Sequence, residues 1–131
     1  MKYNINGVIL PYADTDFFLA LADRNDRLNH AAQLAYETYK GDIYTSLAVA
    51  VELVLVGKRR GAKAQNLMND LTAMALVDGV DRLQLLQAAK YIDELNVGIF
   101  DAFHAALCRS EIMSSDHVYD RLGIRRIALS D

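Results

Sequence analysis

One charged side chain stands alone inside an apolar run: Glu52, in Leu47-Ala48-Val49-Ala50-Val51-Glu52-Leu53-Val54-Leu55-Val56. An ionised carboxylate among hydrocarbon is costly unless a cation or a metal offsets it. A buried ion pair with an arginine, or a narrow exposed stripe, would also account for it. The run holds no second polar residue to mark such a stripe. Asp14 and Asp16 follow another apolar segment, and two carboxylates that close repel unless a cation lies between them. One of the two has an ordinary role as a helix cap, which leaves the other surplus. Asp101 and Asp116 also stand where helices are expected to begin, so capping is their plain alternative. Asp120 reads as a surface residue. Taken together, Asp14, Glu52, Asp101 and Asp116 are hard oxygen donors with no cluster of histidines or cysteines beside them. That chemistry suits Mg²⁺ or Mn²⁺ rather than zinc. Thr15 and Ser114 are placed to orient carboxylates or water.

Other chemistries find less support. His104 and Cys108 are four apart on an expected helix, the spacing of a shared metal or a nucleophile pair. The plainer account is a packed thiol beside a partly buried histidine. His30 and His117 have no visible partners. The seven glycines form no phosphate-cradling loop and no dinucleotide fingerprint, and no serine sits in a nucleophile elbow. Lys58, Arg59, Arg60 and Lys63 make the one dense basic cluster. It fits phosphate contact, and equally a solvated helix end that complements the dipole. Arg125 and Arg126 are a second candidate. A net charge of −3 argues against coating nucleic acid by charge alone.

The elements that must position these residues can be read from periodicity and punctuation. Residues 8–13 predict a buried strand, followed by a helix to about Asp23. Residues 27–39 predict a helix stopped by Gly41, and 42–45 a second strand. Ser46 is placed to cap a helix over 47–56, with Gly57 as its stop. Residues 63–74 predict a helix, 75–77 a minor strand, and Asp81 caps a helix to about Leu95. Asp101 opens a helix through Arg109. Residues 112–114 predict a strand, Ser115 or Asp116 starts a helical turn, and 124–129 form the last strand. Short strands alternating with helices imply an α/β fold with a parallel sheet covered on both faces. Ligands in such sheets lie at the strands' carboxyl ends, where Asp14, Asp16 and Asp116 are expected to fall.

Four segments in this order resemble the PIN-domain family, and within it the VapC-type toxin ribonucleases. They are Asp14-Thr15-Asp16-Phe17-Phe18-Leu19-Ala20-Leu21, Ser46 through Leu55 with Glu52 inside, Asp101-Ala102-Phe103-His104-Ala105-Ala106, and Ser114-Ser115-Asp116 with Val118-Tyr119-Asp120-Arg121-Leu122-Gly123 after it. The family often has asparagine where this chain has Asp16, which leaves that residue as either a metal ligand or a helix cap. The resemblance implies one PIN-like domain over residues 1–131, a three-layer α/β/α fold with a short-stranded central parallel sheet. It implies Mg²⁺- or Mn²⁺-dependent hydrolysis of RNA phosphodiester bonds at Asp14, Glu52, Asp101 and Asp116, with Lys58, Arg59 and Arg60 as candidate RNA contacts. It also implies a homodimer and a cognate antitoxin protein that blocks the site.

Two alternatives follow from the same residues. A non-catalytic PIN-like module would bind RNA or protein without cutting. Asp14-x-Asp16 after a strand is also similar to haloacid-dehalogenase-like phosphatases, whose first Asp is a nucleophile. That family expects Thr or Val where Phe18 stands, and no matching lysine motif is visible. The single Cys108 permits no internal disulfide, and no apolar stretch nears the roughly 20 residues needed to span a bilayer. The cytoplasm is the expected compartment.

Overall fold

A computed structural model describes residues 10–108 and 111–130. Five short strands form one parallel sheet: β1 (Tyr12–Ala13), β2 (Tyr44–Ser46), β3 (Leu76–Asp78), β4 (Glu111–Ser114) and β5 (Arg125–Ala128). Their order is β3-β2-β1-β4-β5. Helices flank the sheet: α1 (Thr15–Ala22), α2 (Asn29–Tyr39), α3 (Leu47–Arg59), α4 (Ala64–Met74), α5 (Arg82–Leu95), α6 (Ile99–Leu107) and the single turn α7 (Val118–Arg121). The chain steps outward from β1 through β2 to β3, then returns past β1 to β4 and β5. Strand order therefore reverses between β1 and β4, which opens a crevice beyond their carboxyl ends. Ala13 pairs with Met113 there, so Asp14 and Ser114 emerge side by side.

The middle of the sheet is the core. Tyr12, Ala13, Tyr44, Ile112 and Met113 are buried, with Phe17, Leu53 and Leu71 packed over them from α1, α3 and α4. Central parallel strands covered on both faces carry apolar side chains in both directions. Exposure is confined to the edges, where Leu76 and Val77 of β3 face outward.

Caps set the helix starts. Asp14 Oδ1 accepts the Thr15 N–H at the head of α1, and Ser46 caps α3 by accepting from Val49 N. Asp81 and Gln84 form a capping box on α5. Several boundaries differ from expectation. Of the residue 8–13 strand, Val8 and Ile9 lie outside the described residues, and the described ladder is Tyr12–Ala13 alone. β2 sits one to two residues later than expected. α2 begins at Asn29 because Asp26 Oδ1 holds the Leu28 N–H in a preceding turn.

Gly57 does not stop α3. The helix runs on to Arg59, and Gly57 lies inside it against α4, where an added Cβ would sit 2.4 Å from Leu67 Cδ1. Its purpose is close helix packing rather than termination. Asp101 does not open α6 either. Gly98 is the cap and Asp101 lies in the first turn, so its carboxylate is not consumed by capping. The helix ends at Leu107 with Cys108 as its cap, and Arg109 lies outside the described residues.

Candidate active site

The crevice at the reversal point is lined by Asp14, Thr15, Asp16, Leu19, Glu52, Val56, Asp101, Ser115 and Asp116, around about 330 Å³. All four acids singled out in the sequence are there, although they come from the β1–α1 junction, α3, α6 and the β4–α7 loop. Neither lysine nor arginine is among the lining residues.

Asp14 is the most enclosed of the four. Its Oδ1 accepts from Thr15 N at 2.7 Å, and its Oδ2 accepts from Ser114 Oγ at 2.8 Å and Tyr119 Oη at 3.1 Å. Burial pushes its carboxyl up, against the lowering pull of His104 and Ser114. Asp16 does not cap α1. Its Oδ2 accepts from Ser115 N at 2.8 Å and Ser115 Oγ at 2.5 Å, while its Oδ1 is buried without a partner. Burial, with Asp14 close by, pushes Asp16 up to about 6. Two successive aspartates of one element thus hold two successive serines of another. Ser114 and Thr15 do orient carboxylates, since Thr15 Oγ1 donates to Glu52 Oε1.

Glu52 is half-buried and, among the described residues, has no arginine partner. His104 Nε2 lies 2.8 Å from its Oε1. Burial favours protonation of Glu52, but the bonds from His104 and Thr15 outweigh it and hold the carboxyl below its usual value. The apolar run around it is not wholly interior, because Leu47, Val51 and Leu55 face outward. Asp101 is pushed up to about 6 by burial, with repulsion from Asp116 and Asp14 added. Asp116 is the exposed member. Its Oδ1 accepts from Val118 N at 2.9 Å, and its own N–H donates to Ser114 Oγ at 3.0 Å.

His104, expected from the sequence as a partly buried histidine beside a packed thiol, instead joins the site through Glu52. It is wholly buried, and its Nδ1 lies 3.0 Å from Tyr12 Oη. Burial opposes its charged form, but Glu52 and Asp14 outweigh that and raise it. Cys108, by contrast, is the packed thiol expected: it donates to Ala105 O, and burial pushes it up to about 12. Away from the site, His117 and Asp120 are joined with Arg126 in a surface network. Lys58, Arg59 and Arg60 are exposed where α3 runs out past Val56, and Lys63 belongs to the start of α4.

The donor set fits a hard divalent cation. Carboxylates gathered in one cleft raise one another's proton affinity, and among the described residues no lysine or arginine lines the cleft and Asp16 adds a buried oxygen with no partner. One carboxylate oxygen each from Asp14 and Glu52 lies within 4.8 Å of a His104 ring nitrogen. An attacking role for Asp14 fits poorly, because three donors already occupy its oxygens.

No curated protein sequence matches the chain significantly. Solved structures do resemble it. VapC20 of Mycobacterium tuberculosis, a sarcin-ricin loop cleaving toxin, superposes with a TM-score of 0.74 at 22% identity, over 86% of this chain and 95% of that one. A toxin–antitoxin complex from Klebsiella pneumoniae gives 0.64 at 18% identity, over 82% and 87%. VapBC2 from Rickettsia felis, bound to a DNA fragment from its promoter, gives 0.69 at 12% identity, over 92% and 98%. Those likenesses carry the fold, and the sequence itself carries the family. With residues 12–123 matching the PIN domain and its acids gathered at the reversal of a five-stranded parallel sheet, the chain belongs to the PIN-domain family.

Proposed function

We propose that this chain is a Mg²⁺- or Mn²⁺-dependent ribonuclease that hydrolyses phosphodiester bonds, and the toxin of a toxin–antitoxin pair. The observation that carries this reading is the cleft itself, where Asp14, Glu52, Asp101 and Asp116 converge without a lysine or arginine among the described residues. A divalent ion held by these four would activate water and offset charge on the scissile phosphate.

The protein's own part is to hold the acids ready. Thr15, Ser114 and Tyr119 fix Asp14, while Thr15 and His104 fix Glu52. Asp101, released from capping, turns toward the cleft. Lys58 and Arg59 in the last turn of α3 and Arg60 at its C-cap would take the phosphates of an RNA strand leaving the cleft.

The partners follow the same reading. One of the similar structures is a toxin–antitoxin complex, which supports an antitoxin that covers the cleft. A homodimer is supported by an apolar hollow of about 330 Å³ shared by Leu47, Val51, Val80, Leu85, Ile99 and Phe100. Val51→Asp should then yield a monomer by light scattering. Among the described residues no helix is long and apolar enough to cross a membrane, and a lone buried thiol suits the cytoplasm.

Purified protein incubated with structured RNA tests the activity. Cleavage should require Mg²⁺ or Mn²⁺, stop with chelator, and fall at least about 100-fold in Asp101→Asn. Full cleavage by that variant would contradict the assignment, and absence of cleavage by the unaltered protein would favour a binding module.

A further inference from the structure

Beneath the cleft, four side chains form a chain with a fixed direction. Tyr12 Oη lies 2.6 Å from Ser46 Oγ and 3.0 Å from His104 Nδ1. Across the ring, Nε2 lies 2.8 Å from Glu52 Oε1 and 3.5 Å from Asp14 Oδ1. Ser46, Tyr12 and His104 are all buried, so water does not complete their bonds.

An ionised carboxylate only accepts, so the ring nitrogen facing Glu52 and Asp14 must carry a proton. In a neutral ring the other nitrogen is then a bare acceptor. Tyr12 must donate to it, and Ser46 must donate to Tyr12. Ser46 is free to do so, because its Oγ already accepts from Val49 N at 3.4 Å. Donation therefore runs from Ser46 through Tyr12 and His104 to Glu52. Both ends meet α3: Ser46, the last residue of β2, caps that helix and Glu52 projects from it.

We infer that His104 is a positioning residue for Glu52 and not a metal ligand, its Nε2–H holding Oε1 so that Oε2 is left for the cleft. A metal on Nε2 would need that nitrogen deprotonated, which would break the bond to Glu52 and leave Thr15 as the donor to Oε1. The buried Tyr12 and Ser46 serve the same end by fixing which ring nitrogen bears the proton.

This inference rests on the metal-dependent reading above, and the test separates the two. The protein labelled with ¹⁵N-histidine is observed by NMR at neutral pH, with and without saturating Mg²⁺. His104 is told from the exposed His30 and His117 by slow solvent exchange. Nε2 should be protonated in both states, and Nδ1 unprotonated wherever the ring is neutral. Mg²⁺ affinity by calorimetry should drop about 10–100-fold in His104→Ala, and His104→Gln should recover much of it by donating from its amide. Tyr12→Phe should admit the other tautomer.

Loss of the Nε2 proton on adding Mg²⁺ would overturn the inference and make His104 a ligand. Undiminished Mg²⁺ binding by His104→Ala, properly folded, would overturn it as well. Failure of the unaltered protein to bind Mg²⁺ or Mn²⁺ would overturn the metal-dependent reading, and with it the purpose given to His104. The ring signals would still report the proton's position separately.

Discussion

Asp16 and His104 were read least completely from the sequence, and both act through partners far along the chain. Asp16 meets Ser115, 99 residues away, and His104 meets Glu52, 52 residues away. No local pattern encodes such a pairing. Glu52 was legible for the opposite reason: a single charge in a hydrocarbon run announces an unmet need wherever its partner lies. Asp16 now reads as a latch that holds the loop carrying Asp116. An asparagine side-chain oxygen can accept the same two bonds from Ser115. Asp16→Asn should therefore keep most of the metal affinity, while Asp16→Ala should lose it and speed amide exchange at Ser115 and Asp116. Equal loss in both variants, measured by calorimetry and hydrogen exchange, would make Asp16 a ligand instead.

Elements were legible where a side chain marks the boundary and obscure where packing does. Ser46 and Asp81 announce α3 and α5, and both are found as caps. Gly57 has the look of a stop signal, yet it stays helical because Leu67 of α4 needs its space. α6 starts at Gly98, without a capping side chain, and so the sequence pointed to Asp101 instead. Strands of two to four residues are too short for alternation to register, and their ends moved accordingly. Ser46 has two duties, as cap and as donor to Tyr12. Ser46→Ala should cost about 1 kcal/mol for the cap and about 0.5–1.5 kcal/mol more for the lost hydrogen bond to Tyr12. Chemical denaturation would read the sum, and a loss confined to the cap alone would deny the second duty.

For the whole molecule, the sheet's reversal is what turns scattered acids into one charged cleft, and that cleft costs stability when empty. Asp16 and Asp101 rise from an ordinary 3.8 to about 6, and Asp14 is raised too. These groups bind protons more tightly folded than unfolded. Folding thus takes up protons between about pH 4 and 6, and stability falls as pH rises through that window. His104, also raised, works in the same sense, its contribution complete below its ordinary 6.5 and lost as pH rises past its folded value. Glu52 is held low and acts in the opposite sense. Metal-free protein should therefore melt at a higher temperature near pH 5 than near pH 7.5. Added Mg²⁺ should restore the loss at the higher pH, because a ligand that binds only the folded state stabilises it. A melting temperature that rises steadily with pH in chelator would contradict this account.

The central claim is that the four acids exist to hold a divalent ion. Mn²⁺ titration of the unaltered protein beside Asp101→Asn, followed by calorimetry at neutral pH, tests it most directly. Saturable binding should appear in the unaltered protein and weaken at least about 10-fold in the variant. Binding that is absent in the unaltered protein, or equal in the two, would contradict it.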